Sequence, residues 1–185
     1  MFHFESFPKT NYKLLGNQNI DVVDITKRFR LTEETLTSSY VLYNYLVKDG
    51  ERADMIAHKY YSDASLDWII WSINLVFDPY FDWPLSSREF ETYIKSSFGL
   101  EYANQTIKYY YEIIQNKTRK SDGTFIPEKK IVVDLARYNS LAATDRSSET
   151  VYEYELRKNE DRRSIKLVDK SYIPSILKEV SGLYG

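Results

Sequence analysis

The chain contains no cysteine. That excludes disulfide scaffolds, thiolate metal sites and thiol nucleophiles, and leaves the redox compartment open. Histidine is nearly as scarce, with His3 and His58 alone, so transition-metal sites and other cofactors are not expected. His3 lies in an aromatic-rich N-terminal stretch, and His58 stands beside Lys59 in a helical pattern. A surface position is expected for both. GxSxG, HExxH and glycine-rich phosphate loops are absent. No sign of charge dominates: 25 Lys+Arg against 27 Asp+Glu leave a net charge of -2. That excludes a protein held mainly by nucleic-acid phosphates. The basic clusters Lys117–Lys120 and Arg162-Arg163 are short and have acids nearby, so solvated surface or interface ion pairs are expected of them. The longest mostly apolar run, Trp68 to Phe77, is about half the length needed to cross a bilayer. The opening MFHFESFPKT lacks the basic start and long apolar stretch of a signal peptide. No membrane contact is expected, and the chain should be made in a cytoplasm.

Aromatic residues are what the sequence has in quantity. Tyr 17, Phe 9 and Trp 3 make up 16% of its 185 residues. Tyr and Trp join a large apolar body to a polar handle and are enriched where proteins meet. The hydrophobic fraction of 43% suits a folded chain rather than a disordered one. The length suits one domain, or a small domain with extensions.

Four segments can be read along the chain. Residues 1–39 form an extended arm: Phe2, Phe4 and Phe7 crowd together, Pro8 breaks any helix, and Asn17-Gln18-Asn19 reads as a turn. Residues 19–29, NIDVVDITKRF, follow with Ile20, Val22, Val23, Ile25 and Phe29 and read as a short strand or extended segment. Residues 40–99 carry the clearest pattern. Tyr40–Val47 is rich in aromatic and branched residues and reads as a strand, ended by Asp49-Gly50. Ala53, Ile56, Ala57 and Tyr60 make one apolar helical stripe. Leu66, Ile69, Ile70 and Ile73 make a second, flanked by Trp68 and Trp71. DPYFDWP, residues 78–84, must be irregular. Ser86 to Glu89 is a capping box for a third helix, which Gly99 closes.

Residues 100–150 read as a β-rich segment and loop, with a strand at 106–114, a hairpin turn at 121–123 and a return strand from Lys129. The polar stretch 138–150 reads as a loop or linker. Residues 151–185 form a tail. Its first part reads as strand, turn, strand, with a charged helix as the alternative. Its end is an amphipathic helix on Ile173, Ile176, Leu177 and Val180, with Ser171 as cap and Gly182 as stop. The fold class is α+β.

One carboxylate cluster bears on catalysis. Asp67, Asp78 and Asp82 lie among Trp68, Trp71, Tyr80, Phe81 and Trp83, and paired acids beside aromatic platforms are what a glycosidase needs. Asp near Pro also caps turns routinely. Turn capping is the favoured reading, and no enzyme activity is expected.

The segment from Val41 to Val76 resembles a LysM module. The matching pieces are the strand ending at Val47-Lys48, Gly50, Ile56-Ala57 and Tyr60 on the first helix, Leu66 and Trp68 opening the second, and Asn74-Leu75 closing it. The resemblance implies a small core of a strand and two helices, here with a third helix. Sugar-binding members carry Gly-Asp-Thr where this chain has Gly50-Glu51-Arg52. They also have a second strand after the second helix, where this chain has DPYFDWP. Both sugar-contacting loops are therefore altered, which puts glycan binding in doubt.

Over most of its length the chain is similar to the LysM-like baseplate wedge proteins of contractile-tailed bacteriophages. Phe7-Pro8, Asp24 to Phe29, Asn74 to Ser86 and Asn159 to Val168 carry that similarity. It implies a virion component of the tail baseplate that clamps neighbouring wedges into a ring around the tail tube, one copy in each of six wedges. The partners it implies are the long wedge proteins of the inner ring and the sheath-initiator protein. The alternative is a module that binds N-acetylglucosamine polymers of peptidoglycan. Residues expected at partner interfaces are Phe4, Phe7, Trp68, Trp71, Tyr80, Phe81, Trp83, Arg162, Arg163, Ile176 and Leu177.

Overall fold

A computed structural model describes residues 7–15, 18–26 and 42–183. The chain divides into two compact units. Residues 1–86 and 162–185 make unit 1, and residues 87–161 make unit 2. The third helix, expected with the first two, counts with unit 2, and the tail expected at 151–185 is split between the units.

Unit 1 begins with a hairpin of β1 (Lys9–Lys13) and β2 (Asn19–Val23). Tyr12 pairs with Ile20 and Thr10 with Val22, so these side chains share one face. Almost every residue of the hairpin is exposed.

The core of unit 1 starts at β3 (Leu42–Leu46), followed by α1 (Ala53–Tyr61) and α2 (Asp67–Ile73). Between the helices Asp63 accepts a hydrogen bond from the Ser65 N–H and starts a short 3-10 turn. The stripes read from the sequence face inward: Ile56, Ala57, Leu66, Ile69, Ile70 and Ile73 are buried together. The partner strand of β3 arrives much later in the chain. It is β9 (Ser164–Val168), antiparallel, with Leu42 opposite Val168 and Leu46 opposite Ser164. Ile165 and Leu167 point into the core while Ser164 and Lys166 face out. The Asn74 side chain donates to the Lys166 carbonyl and accepts from the Lys166 N–H, at 2.9 and 2.8 Å. It thereby ties the end of α2 to β9.

The last helix, α7 (Ile173–Leu183), closes the core with Ile173, Ile176 and Val180. Asp169, rather than Ser171, supplies the cap. Its carboxylate accepts from the Ser171 N–H at 2.8 Å and starts a 3-10 turn ahead of the helix. Gly182 lies inside the helix and does not stop it.

Unit 2 holds α3 (Ser87–Ser97) and α4 (Leu100–Gln105), separated by Gly99 at φ 82°. Then comes the sheet β7–β4–β8, with β4 (Ile107–Gln115) central between β7 (Lys129–Val133) and β8 (Arg146–Thr150). A small hairpin of β5 (Thr118–Arg119) and β6 (Phe125–Ile126) extends β4 around Gly123, as the turn chemistry at 121–123 predicts. The polar stretch read as a loop instead supplies α5 (Leu135–Ser140) and β8.

Residues 151–162 form a helix, α6 (Val151–Arg162), where strand–turn–strand was the first reading. A reciprocal cap explains it. The Thr150 hydroxyl accepts from the Glu153 N–H, and the Glu153 carboxylate accepts from the Thr150 N–H.

The buried polar centre of unit 2 is Glu149. Its carboxylate accepts from the Tyr111 hydroxyl at 2.6 Å and from the Arg157 guanidinium at 2.8 Å. The Arg157 hydrogen bond holds the Glu149 carboxyl below its ordinary range, against the opposing effect of burial. Burial and the Glu149 contact push the Tyr111 phenol up to about 12. A carboxyl lowered by folding stabilises the fold above its unfolded pKa of about 4.3 and loses that contribution as the pH falls through its folded value. Glu149→Gln should therefore cost about 2 kcal/mol at pH 7 and flatten the acid limb of a pH–stability curve below about pH 4. Urea titrations at pH 7, 5 and 3.5 would read both effects. An unchanged acid limb would remove Glu149 from the account.

Candidate interaction surface

After α2 the backbone makes a left-handed turn at Leu75, φ 54°, and the Val76 N–H returns to the Trp71 carbonyl at 2.9 Å. This closes the helix in the way that usually calls for glycine. A leucine in that conformation costs about 1 kcal/mol or more. The loop that follows is built by its two aspartates. Asp82 accepts from the N–H groups of Phe77 and Asp78, and Asp78 accepts from the N–H of Tyr80. The Asp78 and Phe77 N–H groups hold the Asp82 carboxyl below the usual carboxylate range, and the charge of Arg162 adds to that. A carboxylate held ionised in this way is a poor general acid. Asp67 is likewise engaged at a helix start, accepting from the Trp68 N–H at 2.9 Å. These acids shape turns.

The base of the loop is fixed. The Trp83 ring packs against the core of unit 1, and its indole N–H donates to the Glu51 carbonyl at 3.0 Å. The Glu51 carboxylate in turn accepts from the Tyr45 hydroxyl and the Lys48 N–H. Burial acts to raise the Glu51 pKa, but those hydrogen bonds and the charge of Lys59 outweigh it and lower it. Arg163 is buried beside this corner. Its guanidinium donates to Asp49 at 3.0 Å and to the Leu85 carbonyl at 3.2 Å.

From this braced base the loop holds its aromatic tip in water. Tyr80 is 86% exposed, and Phe77 and Phe81 are each 71% exposed. Leu75 is exposed beside them. Four large apolar side chains within seven residues, held by backbone hydrogen bonds, form a preorganised patch.

The expected interface residues therefore separate. Tyr80 and Phe81 are exposed in this loop. Trp68 is 3% exposed and lies inside the core with Ile69 and Leu167, so it is a core residue. Ile176 is also core, Leu177 packs half-buried against it, and the apolar face of the last helix is spent within unit 1. Trp71 and Trp83 are half-buried against the same core. Phe7 and Arg163 are buried, and Arg162 is half-buried. Phe4 lies outside the described residues. Leu75 and Phe77 are not among the interface residues expected from the sequence. Their signal was their place directly after a helix-closing Asn74, where an apolar side chain has no core to enter.

His58 is exposed on α1, as expected. Among the described residues no group of three or more His, Cys, Asp or Glu is placed to hold a metal. No described helix is long and apolar enough to cross a membrane.

An apolar core closed by two distant strands, a largely exposed hairpin and a braced aromatic loop are features of a protein that assembles with others. The family model described as Base plate wedge protein 53 matches residues 2–182, and the chain belongs to that family. A baseplate structural role and a place in the virion tail go with that membership. Among individual relatives, the baseplate wedge protein gp53 of Enterobacteria phage T4 is 25% identical over 170 residues, covering 87% of this chain and 83% of that protein.

Proposed function

We propose that the protein clamps neighbouring baseplate wedges into a closed ring around the tail tube, with one copy in each of six wedges and no enzyme activity. The long inner-ring wedge proteins and the sheath-initiator protein are its partners. The observation that carries this reading is the aromatic loop. Leu75 holds a strained conformation that glycine would relieve, yet it presents a large apolar side chain to solvent. Strain retained for an exposed leucine gives unit 1 no stability, so an assembled contact is its use. Tyr80 and Phe81 beside it are of the kind that anchor interfaces. The exposed face of the β1–β2 hairpin, with Tyr12 and Ile20, supports the same reading, because an isolated two-stranded hairpin is marginal in water.

Unit 1 is read as a LysM-like core of strand, helix, helix and strand, whose second strand β9 is delayed by the insertion of unit 2. The turn between β3 and α1 would be one of its sugar-contacting loops. Here that turn is engaged by Trp83 at the Glu51 carbonyl and by Arg163 at Asp49. A β-carbon placed on Gly50 would lie 3.9 Å from the Ser86 side chain. These contacts weigh against peptidoglycan binding.

The test is co-expression with the long wedge proteins followed by size exclusion. Co-elution in one discrete complex is the expected result. Elution alone, with retention on purified peptidoglycan, would sink the clamp and favour the sugar-binding module.

A further inference from the structure

We propose that the outer edge of β7, with the basic hairpin beside it, receives an extended acidic segment of another protein, which pairs with β7 as a fourth strand of the unit 2 sheet. In the order β7–β4–β8, β7 has β4 on one side and, among the described residues, no strand on the other. Its backbone therefore offers an open row of N–H and C=O groups. Ile131 is 51% exposed and Val132 59% exposed, and as successive strand residues they point to opposite faces. An added strand would cover part of each.

Charge selects the occupant. Residues 116–133 hold Lys117, Arg119, Lys120, Lys129 and Lys130 against Asp122 and Glu128, in a chain whose net charge is -2. None of these five basic residues makes an ion pair among the described residues. Lys117 lies over the Phe125 ring and Lys130 over the Tyr111 ring. Asp122 is engaged by the Thr124 N–H. A second copy paired in parallel would set lysine opposite lysine, and one paired antiparallel about Ile131 would set Lys129 and Lys130 opposite Val133 and Val132, so neither arrangement gives the lysines a carboxylate partner. A nucleic-acid backbone would use the positive charge but has no donors for the open carbonyls and nothing to cover Ile131 and Val132. A peptide strand with Asp or Glu at alternate positions satisfies all three features. That the partner belongs to the baseplate rests on the clamp reading, whereas the pairing rests on unit 2 alone.

The test compares hydrogen exchange of the full chain, free and in purified baseplates, with zero-length carbodiimide coupling of lysine to carboxylate in the same particles. Amides of residues 129–133 should exchange at least about tenfold more slowly in the assembly. Lys129 or Lys130 should couple to Asp or Glu of one segment of another protein. The double substitution K129E/K130E should abolish the slowing, and K129R/K130R should keep it. If the chain is present but these amides exchange unchanged, or are slowed equally in K129E/K130E, the proposal fails. If the chain is absent from the particles, the clamp reading fails instead. The pairing is then read on the free chain with a synthetic peptide of alternating Glu and Val, and no slowing there overturns it. Slowing by a single-stranded DNA oligonucleotide, lost in K129E/K130E, would also overturn it.

Discussion

Trp68→Ala should unfold unit 1 or bring it close to unfolding, with a loss of about 3–5 kcal/mol. The ring is buried among the isoleucines of α2 and the strand β9. Its removal takes away a large apolar surface and leaves a cavity that a core of few elements cannot refill. Domains of this size have only about 5–15 kcal/mol in hand. Urea denaturation followed by circular dichroism would measure the loss as a lower midpoint at unchanged slope. Partner association should vanish with the fold. A Trp68→Ala protein of native stability that still failed to associate would return this residue to the interface.

The aromatic loop predicts the opposite pattern. Tyr80→Ala with Phe81→Ala should change stability by no more than about 0.5 kcal/mol, because both rings already stand in water. Exposed aromatics that become buried anchors each account for about 2 kcal/mol or more of binding. The pair should therefore weaken capture by the wedge partners about 1,000-fold. A titration of the variant against the co-expressed partners, read by size exclusion, would measure it. Asp82→Asn separates geometry from ring chemistry. It keeps both rings but weakens the acceptor that holds the Phe77 and Asp78 N–H groups, so it should cost binding by loosening the loop. If the double variant associates normally, the loop is not an anchor.

Much of unit 1 could be read from residue spacing. The two stripes of α1 and α2 recur at helical intervals, and both proved to be the inward faces. The alternation in SIKLV was also visible, but its pairing with β3 was not, because no local signal tells a strand which distant strand it will join. Residues 151–162 show the other failure. Two apolar stretches around a charged centre suggested strand, turn, strand, with a charged helix as the alternative, while the Thr150–Glu153 box just ahead specified a helix start, and the cap prevailed. Core and interface draw on the same side chains. Trp68 and Ile176 have the side chains that interfaces favour, but a small core needs the same side chains, and composition cannot divide them. Leu75 was legible as the close of the second helix but not as an exposed anchor, because that depends on a backbone angle.

The pairing of Leu42 with Val168 bears on the order of synthesis. At roughly 5–20 residues per second, β3 and both core helices leave the ribosome on the order of ten seconds before β9 does. Unit 2, whose strands pair with near neighbours in the chain, can fold in that interval. Unit 1 cannot close until almost the whole chain has been made. A product truncated within unit 2, or just after it, would display bare isoleucines and be open to proteolysis. Translation itself therefore screens the chains: Arg163 can brace the corner beneath the loop only after unit 2 has been made.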